Sequence, residues 1–207
     1  MTTSSYFRKP KVVPDGPHFY RPVLESLEDR CLLSAAFGLV NLASDVPGLA
    51  RVTDPNLVNP WGMAFSPTGP FWFAENGNGV SDILDGSGRP FALVVRVPSA
   101  THSGGTPTGT VFNAGAGFEV SENGVSAPGR FLFDAEDGTI SAWTDVVDPT
   151  HALPVVDNSS SGAVYKGLAL AADHAGRSFL YAADFRRGTI DVFDQDFHPV
   201  VRPGSFR

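Results

Sequence analysis

Apolar and polar positions recur in the same order three times between residues 59 and 202. Each unit opens with an extended apolar segment that contains a glycine, and a second apolar run follows after a turn. A glycine-bearing turn then leads to a strand in which apolar and polar residues alternate, the pattern of a β-strand with one buried face. The opening segments are 61–65, 108–112 and 166–170, the second runs are 71–74, 131–134 and 179–182, and the alternating strands are 79–85, 138–144 and 188–194.

The length and content of these units predict the fold class. Units of roughly fifty residues with four short strands each are typical of β-propeller blades. We therefore predict an all-β protein, a β-propeller with blades at about 59–98, 106–157 and 163–202. A ring closes with about four to eight blades, so these three predict a fragment, about half of a six-bladed ring. A β-sandwich is the alternative, although a sandwich need not repeat one order of segments three times.

Glycine marks the opening strand of every predicted blade. Gly62, Gly109 and Gly167 occupy equivalent places in the three units. In a propeller the first strand of each blade lines the crowded centre, and a residue without a side chain lets two backbones approach closely. We therefore expect these glycines at contacts between neighbouring inner strands.

The amino-acid composition excludes some classes of binding partner and site. The chain has 15 Lys and Arg against 22 Asp and Glu, a net charge of −7, and a surface of this sign repels the phosphates of nucleic acids. The single cysteine, Cys31, excludes an internal disulfide framework and a cysteine-based zinc site. No apolar run reaches the length of about eighteen residues that a transmembrane helix needs, so no such helix is expected.

The first 36 residues lack the repeat and are interpreted as a targeting segment. The stretch 24–34, Leu-Glu-Ser-Leu-Glu-Asp-Arg-Cys-Leu-Leu-Ser, resembles the Leu-Glu-Pro-Leu-Glu-x-Arg-x-Leu-Leu-Ser motif near the start of many planctomycete-type exported and surface proteins. Ser26 stands where that motif usually has proline. The resemblance implies an extracytoplasmic protein, secreted or at the cell surface, whose folded part is 37–207. A disordered tail with a short amphipathic turn is the alternative.

The folded part resembles a known family over about residues 38–205. Residues 39–48 and 53–62, with 180–185 and 188–193 further on, are similar to an uncharacterised bacterial β-propeller family associated with the Pro-Glu-Pro-type C-terminal sorting system. The resemblance implies export and a propeller fold. That family has no established activity to carry over.

Strand direction predicts which polar residues share one face of the disc. The residue that enters the first strand of a blade and the residues that leave its second strand lie at the same end, because the two strands are antiparallel. Carboxylates and amides of successive blades would converge near the centre, and such oxygens suit Ca²⁺. The predicted calcium ligands are Glu75, Asn76, Asp134, Glu136 and Asp184, and the predicted ligand-binding residues are Asn59, Trp61 and Tyr165.

Three interpretations of this face stay open. In one, it recognises a glycan, a protein or a small molecule, with Trp61 and Tyr165 as aromatic anchors. In another, a calcium ion polarises a carbonyl for attack by water, as in lactone-hydrolysing propellers. In the third, the acids serve only hairpin turns, because Asn76-Gly77 and Asp137-Gly138 are strong turn dipeptides. The sequence favours turn chemistry for the acids, and a binding module over an enzyme as the function.

Overall fold

The computed structural model describes residues 38–201, which form an all-β structure with one short 3₁₀ helix, Ser159–Ser161. The predicted targeting segment, 1–36, lies outside the described residues. Among residues 38–201 no helix has the length and apolar character needed to cross a membrane. The strands are β1 Ala43–Ser44, β2 Val52–Thr53, β3 Pro60–Phe65, β4 Phe71–Glu75, β5 Val80–Leu84, β6 Val95–Arg96, β7 Pro107–Phe112, β8 Glu119–Glu122, β9 Val125–Pro128, β10 Phe131–Ala135, β11 Thr139–Trp143, β12 Leu153–Asp157, β13 Tyr165–Ala172, β14 Ser178–Asp184 and β15 Thr189–Phe193.

Three antiparallel sheets follow one another along the chain and confirm the predicted propeller fold. The first sheet has the strand order β3-β4-β5-β6, the second β7-β10-β11-β12 and the third β13-β14-β15. In the third sheet an isolated bridge between Phe193 and Pro199 stands where a fourth strand would lie. Each sheet runs outward in chain order from one inner strand, as the blades of a propeller do.

Close backbone contacts place the inner strands β3, β7 and β13 side by side. A Cβ atom on Gly62 would lie 2.7 Å from the carbonyl oxygen of Thr108, and one on Gly109 would lie 2.5 Å from the amide nitrogen of Leu168. Gly62 and Gly109 therefore stand where neighbouring backbones touch, as expected from the sequence. The third glycine differs, because a Cβ atom on Gly167 would meet nothing within 4 Å.

Both faces of the second sheet are buried, which explains why the run 131–133 of its strand β10 is apolar without alternation. On one face, Phe131 and Trp143 pack against Trp72 of the first sheet, and the Trp72 and Phe131 rings stack with their centroids 4.0 Å apart. The opposite face carries Leu132 and Ile140, which pack against the third sheet. A sheet with a neighbouring sheet on each face is a blade between blades, whereas a two-layer sandwich buries one face of each sheet.

The hairpin β8–β9 is not predicted by the repeat. Its turn residues Asn123 and Gly124 both have positive φ, 52° and 81°, as a two-residue type I′ turn requires. Phe118 and Val120 bury their side chains in the core between the second and third sheets. The hairpin is inserted between β7 and β10, so it accounts for the long spacing between the first two strands of that blade.

Candidate functional site

Five side chains from three sheets meet at one end of the inner strands, and we call them the rim cluster: Asn59, Trp61, Asn76, Glu136 and Lys166. The side-chain nitrogen of Asn59 donates to the side-chain oxygen of Asn76 at 3.1 Å. Lys166 forms an ion pair with the Glu136 carboxylate, and its Nζ lies 4.5 Å from the centroid of the Trp61 ring. The cluster therefore joins the first, second and third blades.

Antiparallel pairing brings these residues to the same end. Asn59 precedes β3 and has a φ of 54°, a conformation that asparagine adopts more readily than most residues. Asn76 follows β4, and its backbone N–H donates to the carbonyl oxygen of Asn59 at 3.3 Å. Glu136 follows β10, and its N–H donates to the carbonyl oxygen of Thr106 at 3.1 Å. The pairs β3–β4 and β7–β10 therefore end on one side, as strand direction predicts.

The charges of the rim cluster are paired, and its aromatic ring is held in place. Hydrogen bonding from Lys166 lowers the pKa of the Glu136 carboxyl, partial burial opposes the shift, and the neighbouring Asn76 amide adds to it. Trp61 keeps 49% of its surface exposed, and the ammonium group over its ring is a cation–π contact that orders the indole. The result is a fixed aromatic surface flanked by amide and carboxylate groups.

Sequence reasoning missed Lys166, although the repeat holds a signal for it. Pro60 pairs with Glu75 at the start of the first blade, and Tyr165 pairs with Asp184 at the start of the third. The next residues along the inner strands, Trp61 and Lys166, are therefore equivalent positions in two blades. Aligning the blades by strand register would have placed the cation on the same face as the indole.

Tyr165 does not reach the rim cluster, which corrects its predicted role as an anchor. It is fully buried, since it lies in the core between the second and third sheets. Its hydroxyl donates to Asp191 and accepts from the side-chain nitrogen of Asn158, both at 2.7 Å. Burial, together with the Asp191 carboxylate, raises the pKa of the Tyr165 phenol. The side chain therefore supports the core and is not available to a ligand.

Replacing Tyr165 with phenylalanine is expected to lower the free energy of unfolding by about 1–2 kcal/mol, because Asn158 and Asp191 would each lose a hydrogen-bond partner. Chemical denaturation of the two proteins measures the difference. An equal free energy in the variant would mean that the hydroxyl makes no net contribution to stability.

Asp134, on β10, accepts hydrogen bonds from the inner strand β7. It is fully buried, and its Oδ1 accepts hydrogen bonds from the Thr108 hydroxyl at 2.8 Å and from the backbone N–H of Gly109. Burial raises the pKa of Asp134, while these donors and the N–H of Gly167 act in the opposite direction. The Thr108 hydroxyl also lies 3.0 Å from the carbonyl oxygen of Tyr165, so Thr108 and Asp134 lie where β7 meets β13.

Asp184 holds the turn between β14 and β15. Its Oδ1 accepts backbone N–H groups of Val164, Arg186 and Arg187 at 3.2, 3.0 and 3.2 Å, and the Arg187 guanidinium binds its Oδ2. Burial raises the pKa of Asp184, but Arg187 and these N–H groups outweigh that effect, and the net shift is downward. Both oxygens are already engaged within the fold.

Glu75 lies among acids that the sequence did not associate with it. Its side chain is 0% exposed, and neither of its oxygens has a hydrogen-bond partner. Burial raises its pKa to about 8, and the charges of Asp82, Asp54 and Asp45 add to the shift. Burial also raises the pKa of Asp82 to about 7, and the nearby Asp54 carboxyl adds to the shift. Asp54 and Asp82 were missed because neither lies at the end of a second strand.

The five predicted calcium ligands do not come together at one point. Within residues 38–201, Asp194, Asp196 and His198 form the one group of three acidic, His or Cys side chains whose ligand atoms lie within 4.8 Å of one another. Asp194 there accepts the backbone N–H of Asp196 at 3.0 Å and of His198 at 2.9 Å, as a polar turn residue does. Calcium binding by the predicted set stays a prediction.

Comparison with known proteins corrects the resemblance drawn from the sequence. No family model matches the chain. An uncharacterised protein of Acanthamoeba polyphaga mimivirus is 34% identical over 155 residues, 74% of this chain and 40% of that protein. A second uncharacterised protein of the same virus is 32% identical over 165 residues, 77% of this chain and 39% of that protein. The predicted membership of a bacterial family is wrong, since these relatives are viral.

The chain spans about 40% of the length of the curated relatives it matches. Among solved structures, virginiamycin B lyase from Staphylococcus aureus aligns with a TM-score of 0.49 and 16% identity, over 72% of this chain and 42% of that one. A streptogramin B lyase aligns with a TM-score of 0.38 and 17% identity, over 73% of this chain and 44% of that one. The propeller fold of this chain rests on its own three sheets and their packing.

Proposed function

We propose that the chain is part of a binding propeller and that its rim cluster recognises a neutral glycan, with Trp61 as the anchor. The observation that carries the proposal is the half-exposed Trp61 indole, which Lys166 holds in place from the third blade. Binding sites are built around rigid aromatic anchors because such rings bury much surface and lose little conformational entropy. The Trp61 side chain has only two χ angles, and the Lys166 ammonium group holds its ring, so Trp61 is a rigid aromatic anchor of this kind.

The polar members of the cluster suit the hydroxyl groups of a sugar. The Asn59 amide donates one N–H to Asn76 and offers a second N–H and an oxygen acceptor, and the Glu136 carboxylate accepts hydrogen bonds. The C–H groups of a sugar ring would pack on the exposed part of the indole, and its hydroxyls would reach these groups. A net charge of −7 disfavours polyanionic glycans, so the proposal is restricted to neutral ones.

Replacing Trp61 with alanine is expected to weaken glycan binding at least about tenfold, because the anchor carries a large share of the contact surface. A glycan array with the wild-type chain would identify a ligand, and calorimetry would compare its affinity for both proteins. The matched control is Phe91→Ala, which removes an aromatic residue that is also 49% exposed and lies towards the other end of β5, where its N–H donates to the carbonyl oxygen of Ile83.

Equal weakening by the two substitutions would contradict a specific role for Trp61. Saturable binding of a protein partner to the rim cluster, with no glycan bound, would replace the proposed ligand class. The calcium-dependent lactonase alternative stays a prediction, since within residues 38–201 no observation comparable to the half-exposed Trp61 favours it.

The proposal includes an extracytoplasmic location, where glycans are displayed. The predicted targeting segment bears on it but lies outside the described residues. Fractionation of cells that express the full chain, followed by immunodetection, tests this part. Recovery in the cytosol alone would contradict it.

A further inference from the structure

Three carboxyl groups without cationic partners are buried on the first sheet, and we call them the acidic cluster: Asp54, Glu75 and Asp82. Their exposed fractions are 1%, 0% and 0%. Four of their oxygens have no hydrogen-bond partner: Oδ2 of Asp54, both oxygens of Glu75 and Oδ2 of Asp82. Buried polar atoms are nearly always paired, so four unpaired carboxyl oxygens in one place require an explanation.

Strand register and the preceding segment bring the three groups together. Glu75 pairs with Val80, and Asp82 pairs with Phe73 two positions along, so the carboxyl groups of Glu75 and Asp82 share one face of the first sheet. Asp54 follows β2, and its backbone N–H donates to the carbonyl oxygen of Ser44 at 2.9 Å. The cluster therefore forms where the segment 43–58 lies against the sheet.

The charged groups that act on the acidic cluster are all carboxylates. The charged groups that act on Glu75 are Asp82, Asp54 and Asp45, and within residues 38–201 none of the three cluster members forms a salt bridge. A buried carboxylate without a counter-charge costs several kcal/mol. Either protons or a bound cation must therefore neutralise the cluster.

We propose that the acidic cluster binds a hard metal cation, with Ca²⁺ as the best match, and that the cation fastens the segment 43–58 to the first blade. Glu75 is the observation that points to a ligand, since it is fully buried, carries two unpaired oxygens and lies on the same face of the first sheet as Asp82. Carboxylate oxygens are the preferred donors for Ca²⁺, and their flexible geometry suits its six to eight ligands.

The residues around the acidic cluster indicate how a cation would enter the site and which side chain would move to bind it. Asp45 is exposed and acts on Glu75 through its charge, so it gives a cation a first contact at the surface. The oxygens of the three cluster members do not all lie within 4.8 Å of one another, and binding would draw the Glu75 side chain toward the pair. Because Asp54 belongs to the segment and Glu75 and Asp82 to the sheet, one ion would connect both.

Thermal unfolding of the full chain, stripped of metal with a chelator and titrated with Ca²⁺, Mg²⁺ or Na⁺, tests the proposal. We expect Ca²⁺ to raise Tm by about 5–10 °C at a hundredfold excess over its Kd, with saturable heat in calorimetry. Glu75→Gln keeps the side-chain volume and should abolish the shift, and so should Asp82→Asn. The control Glu122→Gln removes an exposed acid at the end of β8, outside both clusters, and should leave the shift unchanged.

The alternative is a cluster neutralised by protons alone. Absence of a saturable Ca²⁺ effect between pH 6 and pH 9 would overturn the proposal, and so would an equal Tm shift in Glu75→Gln. Loss of the shift in Asp194→Asn instead would move the ion to the surface turn at Asp194. Circular dichroism of each variant confirms that the β-structure is retained, and none of these outcomes depends on the glycan ligand proposed above.

Discussion

Replacing Gly109 with alanine should lower the free energy of unfolding by about 3 kcal/mol, a fall in Tm of about 6–12 °C. The new Cβ atom would lie 2.5 Å from the amide nitrogen of Leu168 and 2.7 Å from Oδ1 of Asp134. Because one of these atoms belongs to the backbone of β13, no rotamer change relieves the contact. The inner strands β7 and β13 would have to move apart.

The third blade provides the matched control for this substitution. Gly167 occupies the equivalent position, and a Cβ atom there would meet nothing within 4 Å. Gly167→Ala should therefore change the free energy of unfolding by less than about 0.5 kcal/mol. Denaturant titration of the three proteins measures both values. Equal stabilities for the Gly109 and Gly167 variants would contradict the tight contact between inner strands.

Stability should fall as the pH rises from about 5 to about 9, by an amount on the order of 2–5 kcal/mol. The folded state raises the pKa of Glu75 from 4.5 to about 8 and that of Asp82 from 3.8 to about 7. An acid with a raised pKa binds more protons in the folded state than in the unfolded state. The protonated protein is therefore favoured, and stability is lost until both groups have ionised.

Chemical denaturation at several pH values, with a chelator present, measures this dependence for protons alone. Glu75→Gln should flatten the profile and raise stability at pH 9, because glutamine needs no proton to stay neutral. Glu136→Gln is the control, since the pKa of Glu136 is lowered and not raised. A wild-type profile that is flat above pH 5 would contradict the predicted shift.

The rim cluster shows which site residues can be predicted from strand direction alone. Asn59, Trp61, Asn76 and Glu136 were predicted to share a face because antiparallel strands return to the same end, and the structure brings them together. Tyr165 was assigned to the same face and lies in the core instead. A local pattern gives the end of a strand at which a residue stands, but which side of the sheet it faces depends on the register with the next strand.

The repeat in the sequence is enough to predict the all-β propeller class, because three repeats of apolar strands and turns leave few other ways to bury their apolar faces. The repeat also located Gly62 and Gly109, where close backbone contact excludes any side chain, whereas Gly167 has no such contact. Which acids become neighbours depends on the packed fold. Asp54, Glu75 and Asp82 come from separate elements, and their meeting depends on pairing register and on the segment 43–58 folding over the first blade. Burial then sets their pKa values, and burial is a property of the packed fold that no stretch of sequence contains.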